Sequence, residues 1–496
     1  MPLNYFLCAL GGLAVALPFI APVWGPIAWI AFLPFLWAAP RASSYRQSLA
    51  LGMVMGGTAN GIVCLWLIDT ITIFGGFPWP LAALFYVILI GYTGIPFAAV
   101  GVALRFAGPA APSLLAPALW VGTEYLFPNL FPWRMAYTQR EFPLLIQSAD
   151  VAGPYLLSFA ILWFAAGLVR PRITRIVPPL ILVALLLAYA QWQMPRVQTA
   201  IETAPSLRVG VVQGNLSLFA KRDPNDLDRN LKTYRRLSES LQPPPDLLIW
   251  PETVVTWGLP QDRPLEAARD PYPEAPTAML FGALSYRQTP QGLDFYNSLF
   301  LRTAEGRLKG RYDKMVLMPF GEFLPFSEQF PIIRSWSPNS GDFHAGREAT
   351  VLSLNQEIRI GPAICDEDMM ASPLGTSAAK GANLLVSVAN DAWYGDSAAL
   401  LLHETLGQWR ALENRRYFVR ATNSGLTSAI DPMGKRFFQL PRGKSVAGTL
   451  EARLLDQSTV YQRHPHSFPR FVLGLSLVVL GWARARRFRG NENLPN

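Results

Sequence analysis

Ile358-Arg359-Ile360-Gly361-Pro362-Ala363-Ile364-Cys365-Asp366-Glu367-Asp368 is the stretch from which the rest of the chain is read. A strand-like run leads into a cysteine, and the cysteine opens an acidic turn. Similar short apolar runs recur between about residues 207 and 455. Leu207-Arg208-Val209-Gly210-Val211-Val212 and Asp246-Leu247-Leu248-Ile249-Trp250 read as strands, as do 278–284, 298–302, 357–364, 383–388 and 417–421. Helical patterns separate some of them, at 226–241 and 400–413. Strands mixed with helices argue a layered α/β domain. Cys365 is the only cysteine in it, because Cys8 and Cys64 lie in apolar segments and read as buried fillers. An oxidising compartment favours paired cysteines, so a lone one there is either a small core residue or a reactive thiol.

Outside this region the composition changes. The chain has 496 residues, 51% hydrophobic and 16% charged, with long apolar stretches filling 5–195 and 468–483. That distribution predicts a polytopic membrane protein with one large extramembrane domain. The expected division is 1–195 for seven spans, 205–458 for the globular domain, and 466–496 for a last span and basic tail. The eight expected spans are about 5–21, 24–39, 49–69, 80–104, 112–127, 153–169, 176–193 and 468–483. No basic region precedes the first apolar run, so a cleaved signal peptide is not expected. Arg41, Arg46, Arg105, Arg170, Arg172, Arg175, Arg484, Arg486, Arg487 and Arg489 follow spans two, four, six and eight. By the positive-inside rule both termini face the cytoplasm and the globular domain is extracytoplasmic. The net charge of +9 follows this topological pattern and does not argue for nucleic acid.

Several polar residues stand out. Phe127-Pro128-Asn129-Leu130-Phe131-Pro132-Trp133-Arg134 reads as an interfacial aromatic belt, or as a lipid-headgroup contact in which Arg134 pairs with a phosphate. Asp69 and Glu124 fall inside spans and should face protein or water. In the globular domain Glu252, Lys314 and Cys365 fall at strand ends, where α/β sites form. A carboxylate raised by burial can take a thiol proton, and a lysine favours the thiolate and an oxyanion. The three make a coherent acyl-transfer site without histidine. Singly, Glu252 could cap a helix and Lys314 could be a surface charge. The sequence has four histidines, no Gly-rich phosphate loop, no metal-spaced His/Cys cluster and no G-x-S-x-G, so a serine triad is poorly supported.

Trp250-Pro251-Glu252, Lys314 ahead of Pro319-Phe320-Gly321-Glu322, and Ile364-Cys365 resemble the Glu-Lys-Cys triad of the nitrilase superfamily. With its spans, the whole chain resembles the bacterial apolipoprotein N-acyltransferase family. Val212-Gln213-Gly214-Asn215, Tyr296-Asn297-Ser298, Asn390-Asp391-Ala392-Trp393-Tyr394-Gly395 and Arg420-Ala421-Thr422-Asn423-Ser424-Gly425 add to the likeness. The resemblance implies an inner-membrane bundle of eight helices carrying a periplasmic αββα sandwich. It implies Cys365 as nucleophile, Glu252 as general base and Lys314 on the oxyanion, with Glu322 and Glu367 as supporting residues. Cys365 would take an acyl chain from a phospholipid, typically phosphatidylethanolamine, as a thioester. It would pass that chain to the α-amine of the S-diacylglyceryl-cysteine of an apolipoprotein. No metal or organic cofactor is implied, and nothing demands more than a monomer.

Two departures are expected to affect substrate handling. Asp366 stands where the family usually has tyrosine, and a negative charge there should raise the thiol pKa unless it is paired. Arg222, in Phe219-Ala220-Lys221-Arg222-Asp223-Pro224, stands about where the family tends to carry tryptophan. The apolar stretches 318–326 and 330–333 read either as core or as a lid entering lipid. The alternatives are a membrane-tethered amidase, a paralogue acylating another amine, or a non-catalytic scaffold.

Overall fold

The computed structural model describes residues 2–492 except 74, 110, 218–225, 262–269, 291, 326, 333 and 335–340, with side chains beyond 485 left out. Arg222, Phe326, Ile333 and the side chains of Arg486, Arg487 and Arg489 therefore lie outside the described residues. The chain forms two compact units. One comprises Met1–Ile68, Pro80–Met194 and His464–Asn496, and the other Asp69–Trp79 and Pro195–Arg463.

Most of the apolar sequence in the first unit is helical, although 127–134 is irregular. Pro2–Ile20, Pro22–Arg41, Trp79–Ala107, Ile173–Thr203 and Ser467–Ala485 are long and apolar enough to cross a membrane. The expected span at 49–69 is broken. Helix Tyr45–Val63 stops at a turn and Leu67–Ile73 resumes at 55° to it. Cys64 caps the first piece by donating its N–H to the Asn60 carbonyl, and the bend leaves Asp69 exposed. Leu115–Leu126 and Tyr155–Val169 are helices of 12 and 15 residues, short for a perpendicular crossing. Small residues let helices approach closely: a Cβ on Gly12 would lie 2.4 Å from the Met55 carbonyl oxygen.

In the second unit, among the described residues, seven strands form one sheet and six another. The first sheet contains β1 (Ser206–Gln213), β2 (Leu247–Ile249), β3 (Val255–Pro260), β4 (Ala278–Thr289), β5 (Gly292–Arg302), β6 (Leu308–Asp313) and β13 (Val446–Arg453). Its order is β13-β1-β2-β4-β5-β6, with β3 also on β4. The second contains β7 (Leu352–Ser353), β8 (Arg359–Ile364), β9 (Leu384–Ala389), β10 (Tyr417–Thr422), β11 (Ser428–Ile430) and β12 (Arg436–Gln439), in the order β12-β11-β10-β9-β8-β7. β1, β2 and β4 run parallel, as do β8, β9 and β10. Buried parallel strands carry continuous apolar runs, which is how Leu247-Leu248-Ile249 and the Leu384–Ala389 strand read.

The two sheets share one core, with Val209, Ile249 and Leu299 from the first and Ile360, Val386 and Val419 from the second. Helix Leu227–Glu239 covers the outer face of the first sheet through Leu231 and Tyr234. Helices Ala371–Ala379 and Ala399–Asn414 cover the second through Leu374, Ala378 and Ala411. The result is the expected αββα sandwich.

The end of β2 continues beyond the ladder. Gly282 N–H donates to the Pro251 carbonyl at 3.2 Å, and Val254 N–H donates to the Gly282 carbonyl at 3.0 Å. A Cβ at Gly282 would sit 2.5 Å from the Pro251 oxygen and 2.6 Å from the Glu252 Cα. Gly282→Ala should therefore push the Glu252 segment off the sheet, lowering stability by about 1–3 kcal/mol. A thermal melt checks this, and an unshifted melting temperature would show that the segment yields freely.

Candidate active site

Glu252, Lys314 and Cys365 lie just past the C-terminal ends of β2, β6 and β8. Trp250 anchors the first segment: it is fully buried and its indole Nε1 donates to Ser238 Oγ at 2.9 Å. Glu252 is 7% exposed, and its Oε1 accepts from Asn297 Nδ2 at 2.7 Å. The same Asn297 nitrogen donates to Glu322 Oε1 at 2.9 Å. Lys314 is held by its backbone, donating N–H to the Asn297 carbonyl at 2.9 Å and accepting from Gly346 N–H at 2.7 Å. Its ammonium is 1% exposed and lies 2.7 Å from Glu322 Oε2 and 2.6 Å from Asp366 Oδ1.

Glu322 sits in a turn closed by the Phe320 N–H to the Phe323 carbonyl at 2.8 Å, and its Oε2 accepts from Met318 N–H at 2.9 Å. Glu367 joins the Cys365 turn to the Lys314 segment. Its Oε2 accepts from Ile364 N–H at 2.8 Å and Tyr312 Oη–H at 2.9 Å. Its Oε1 accepts from Met315 and Val316 N–H at 2.6 and 3.1 Å. Cys365 has φ of +55°, a left-handed conformation unfavourable for any residue but glycine. Thr253 at +50° and Phe320 at +64° flank the other two segments in the same region.

Glu252, Lys314, Cys365, Glu322 and Glu367 are thus brought together. Arg134 lies in the other unit, where it donates to the Glu124 backbone carbonyl and stacks 4.6 Å over the Tyr155 ring. Glu124 is buried and accepts from Trp120, Met135 and Ser158. Of the apolar stretch after Lys314, Phe320, Phe330 and Ile332 are about 60% exposed, so the reading of those three as core is corrected. The three belong to no strand of either sheet, so the alternation that buries strand residues does not act on them.

Electrostatics sets the resting state. Desolvation pushes the Cys365 thiol well above the ordinary range, Glu252 and Asp366 add to this, and Lys314 opposes it. Burial works against the Lys314 charge, but Asp366 and Glu322 outweigh it and hold the ammonium protonated. Burial also raises Asp366, and raises Glu367 to about 7 despite Lys314 and three backbone N–H donors. The resting site holds a neutral thiol beside a carboxylate and a fixed cation.

A second cluster lies behind Cys365 and was not anticipated from the sequence. His403 Nε2 is 2.6 Å from Asp368 Oδ1 and 3.3 Å from the Cys365 carbonyl oxygen. Arg420 makes a two-pronged contact with Asp391 at 2.7 and 2.9 Å and reaches Asp368 Oδ2 at 3.1 Å. Ser387 Oγ donates to Asp368 Oδ2 at 2.7 Å. Burial pushes both aspartates up, but Arg420 and His403 outweigh it and hold them below the usual carboxylate range. Asp368 pulls His403 up to about 9 against burial and Arg420, which agrees with two aspartates facing one guanidinium. Arg420 Nη2, a pure donor 2.8 Å from Nδ1, opposes that second proton. Nε2 faces only acceptors and carries a proton in either state.

Residues 11–167 match the model of the apolipoprotein N-acyltransferase N-terminal domain, and 208–457 match the carbon-nitrogen hydrolase model. An apolipoprotein N-acyltransferase of Geobacter metallireducens is 32% identical, over 98% of this chain and 96% of the relative. Those of Azotobacter vinelandii and Pseudomonas putida are 34% and 31% identical, over 92% and 96% of this chain and 90% and 96% of theirs. Among solved structures, yeast (Saccharomyces cerevisiae) Nit3 of the nitrilase superfamily is similar at 17% identity and a TM-score of 0.39, covering 53% of this chain and 95% of its own.

The two roles of Glu252 can be separated. In Glu252→Gln the lost charge should move Cys365 alkylation by iodoacetamide to lower pH, because that charge raises the thiol. With Glu252 as the proposed general base, the same substitution should meanwhile slow attack on a carbonyl substrate by about 10²–10⁴-fold. Parallel changes in the two rates would contradict this assignment.

Proposed function

The chain belongs to the apolipoprotein N-acyltransferase family, and from that premise we propose a two-step acyl transfer through Cys365 that completes lipoprotein maturation. The supporting observation is the placement of Glu252, Lys314 and a strained Cys365 just past the ends of β2, β6 and β8, with Lys314 fixed by two carboxylates. In the first step Glu252 takes the thiol proton as Sγ attacks an ester carbonyl of a phospholipid such as phosphatidylethanolamine. The C–O bond breaks, Glu252 returns the proton to the glycerol oxygen, and lysophospholipid leaves. In the second step the α-amine of a diacylglyceryl-cysteine attacks the thioester, the C–S bond breaks, and the amine proton passes through Glu252 to the thiolate.

An ammonium has three N–H donors. Two of those on Lys314 face Glu322 and Asp366, which leaves one for the thiolate and the oxyanion. Asp366 still raises the thiol, but its charge is paired with Lys314 instead of standing alone beside the sulfur.

The reading includes eight spans, a periplasmic catalytic domain and cytoplasmic termini, with the division 1–195, 205–458 and 466–496. Basic connections on one side of the membrane support that orientation. Exposed Phe320, Phe330 and Ile332 suit a surface that meets lipid-anchored substrates, and Arg134 suits a phosphate headgroup.

The test incubates the full chain in detergent with phosphatidylethanolamine and a diacylated lipopeptide. Triacylated peptide and lysophospholipid should form together, and Cys365→Ala should abolish both with an unchanged melting temperature. Release of free fatty acid or ammonia with no acylated peptide would instead identify a hydrolase.

A further inference from the structure

The nucleophile sits in a conformation that the chain does not adopt unaided. A non-glycine residue in the left-handed region is strained and persists only where its surroundings over-determine it. On the N-terminal side of Cys365 the restraint is Glu367, which holds the Ile364 N–H and ties it to Tyr312, Met315 and Val316. On the C-terminal side the Cys365 carbonyl faces His403 Nε2 at 3.3 Å, and Asp368 faces the same nitrogen at 2.6 Å.

His403 is itself fixed. It is 2% exposed on helix Ala399–Asn414, and its ring meets Tyr394 edge-on at 5.8 Å. Its partners come from different elements: Asp368 from the turn after β8, Asp391 from the turn after β9, and Arg420 from β10. All three charged partners have side chains fully out of solvent. An all-apolar cluster would fill this space more cheaply, because buried ion pairs add little net stability. Polar groups here do what apolar ones cannot: they give a directed N–H to one particular carbonyl.

We propose that His403, aligned by Asp368, Asp391 and Arg420, is a positioning residue for the acyl transfer, holding the Cys365 carbonyl so that the sulfur keeps its aim. This rests on the function proposed above. The chemistry is unchanged; His403 touches neither substrate nor sulfur and acts through the nucleophile's backbone. A misplacement near 1 Å can cost about 10²-fold in rate.

The experiment compares full-length wild type, His403→Ala and His403→Gln by three measurements: thermal melt, kcat and KM for lipopeptide acylation, and the pH profile of Cys365 alkylation by iodoacetamide. In folded His403→Ala we expect kcat to fall about 10–100-fold with KM within about twofold, and alkylation to slow across the whole pH range. His403→Gln, whose amide N–H still reaches the carbonyl, should recover most of both rates. Rates within about twofold of wild type in folded His403→Ala would overturn the proposal. So would a loss that Gln leaves unrecovered while the melting temperatures of Ala and Gln agree. Should His403→Ala not fold, a His403→Gln enzyme that melts like wild type decides, because retained kcat and alkylation support the role and their loss overturns it. Alkylation needs no acyl donor, so it reads the positioning role even if wild type transfers no acyl chain.

Discussion

Lys314 is a buried ammonium, and a charge taken out of water must be paired or it costs several kcal/mol. The pairing here uses Glu322 from the turn after β6 and Asp366 from the turn after β8. Asn297 on β5 then joins Glu322 to Glu252. One cation thus fixes the segments that follow β2, β6 and β8, and these segments carry Glu252 and Cys365, the proposed base and nucleophile. The same arrangement sets the chemistry. Burial, with Glu252 and Asp366 nearby, keeps the resting thiol neutral against the pull of Lys314, so it must be deprotonated as it reacts. That requirement gives Glu252 its role.

Backbone strain gathers at the site without being confined to it: of the five non-glycine residues with positive φ among those described, Asn215 and Arg415 lie elsewhere in the chain. Cys365, Thr253 and Phe320 all have positive φ, and each lies in or beside a segment that presents a reacting or orienting group. The fold holds them through backbone hydrogen bonds to carboxylates and carbonyls. Glu367 illustrates how: all four of its partners are donors, so a neutral amide in its place would leave one donor facing another.

Much of this was legible in the sequence for physical reasons. β2, β8 and β9 are largely buried on both faces, so they read as mainly apolar runs broken only by Arg359 and Ser387, and Glu252 and Cys365 follow two of them. β6 and β13 were missed because half-buried strands near or at a sheet edge, such as Leu308-Lys309-Gly310-Arg311-Tyr312-Asp313, carry charges and glycine. The break after Val63 leaves no mark in hydropathy, because Cys64, Leu65 and Trp66 are as apolar as a helix interior. Asp366 looked like a defect beside the thiol until its lysine partner was placed. The His403 cluster draws on residues 368, 391, 403 and 420, whose spacing matches no local pattern. The only signal was indirect, in the stretches Asn390–Gly395 and Arg420–Gly425, which contributed to the family likeness without a stated role.

The account turns on whether Cys365 carries the acyl chain. The direct measurement is intact-protein and peptide mass spectrometry of the full chain after incubation with phosphatidylethanolamine and no acceptor amine. An acyl-sized mass increase on the Cys365 peptide, removed by hydroxylamine and discharged by a diacylated lipopeptide, is the predicted result. An unmodified Cys365 that still reacts readily with a thiol reagent would contradict the account, because the nucleophile would then be accessible while phospholipid was not its donor.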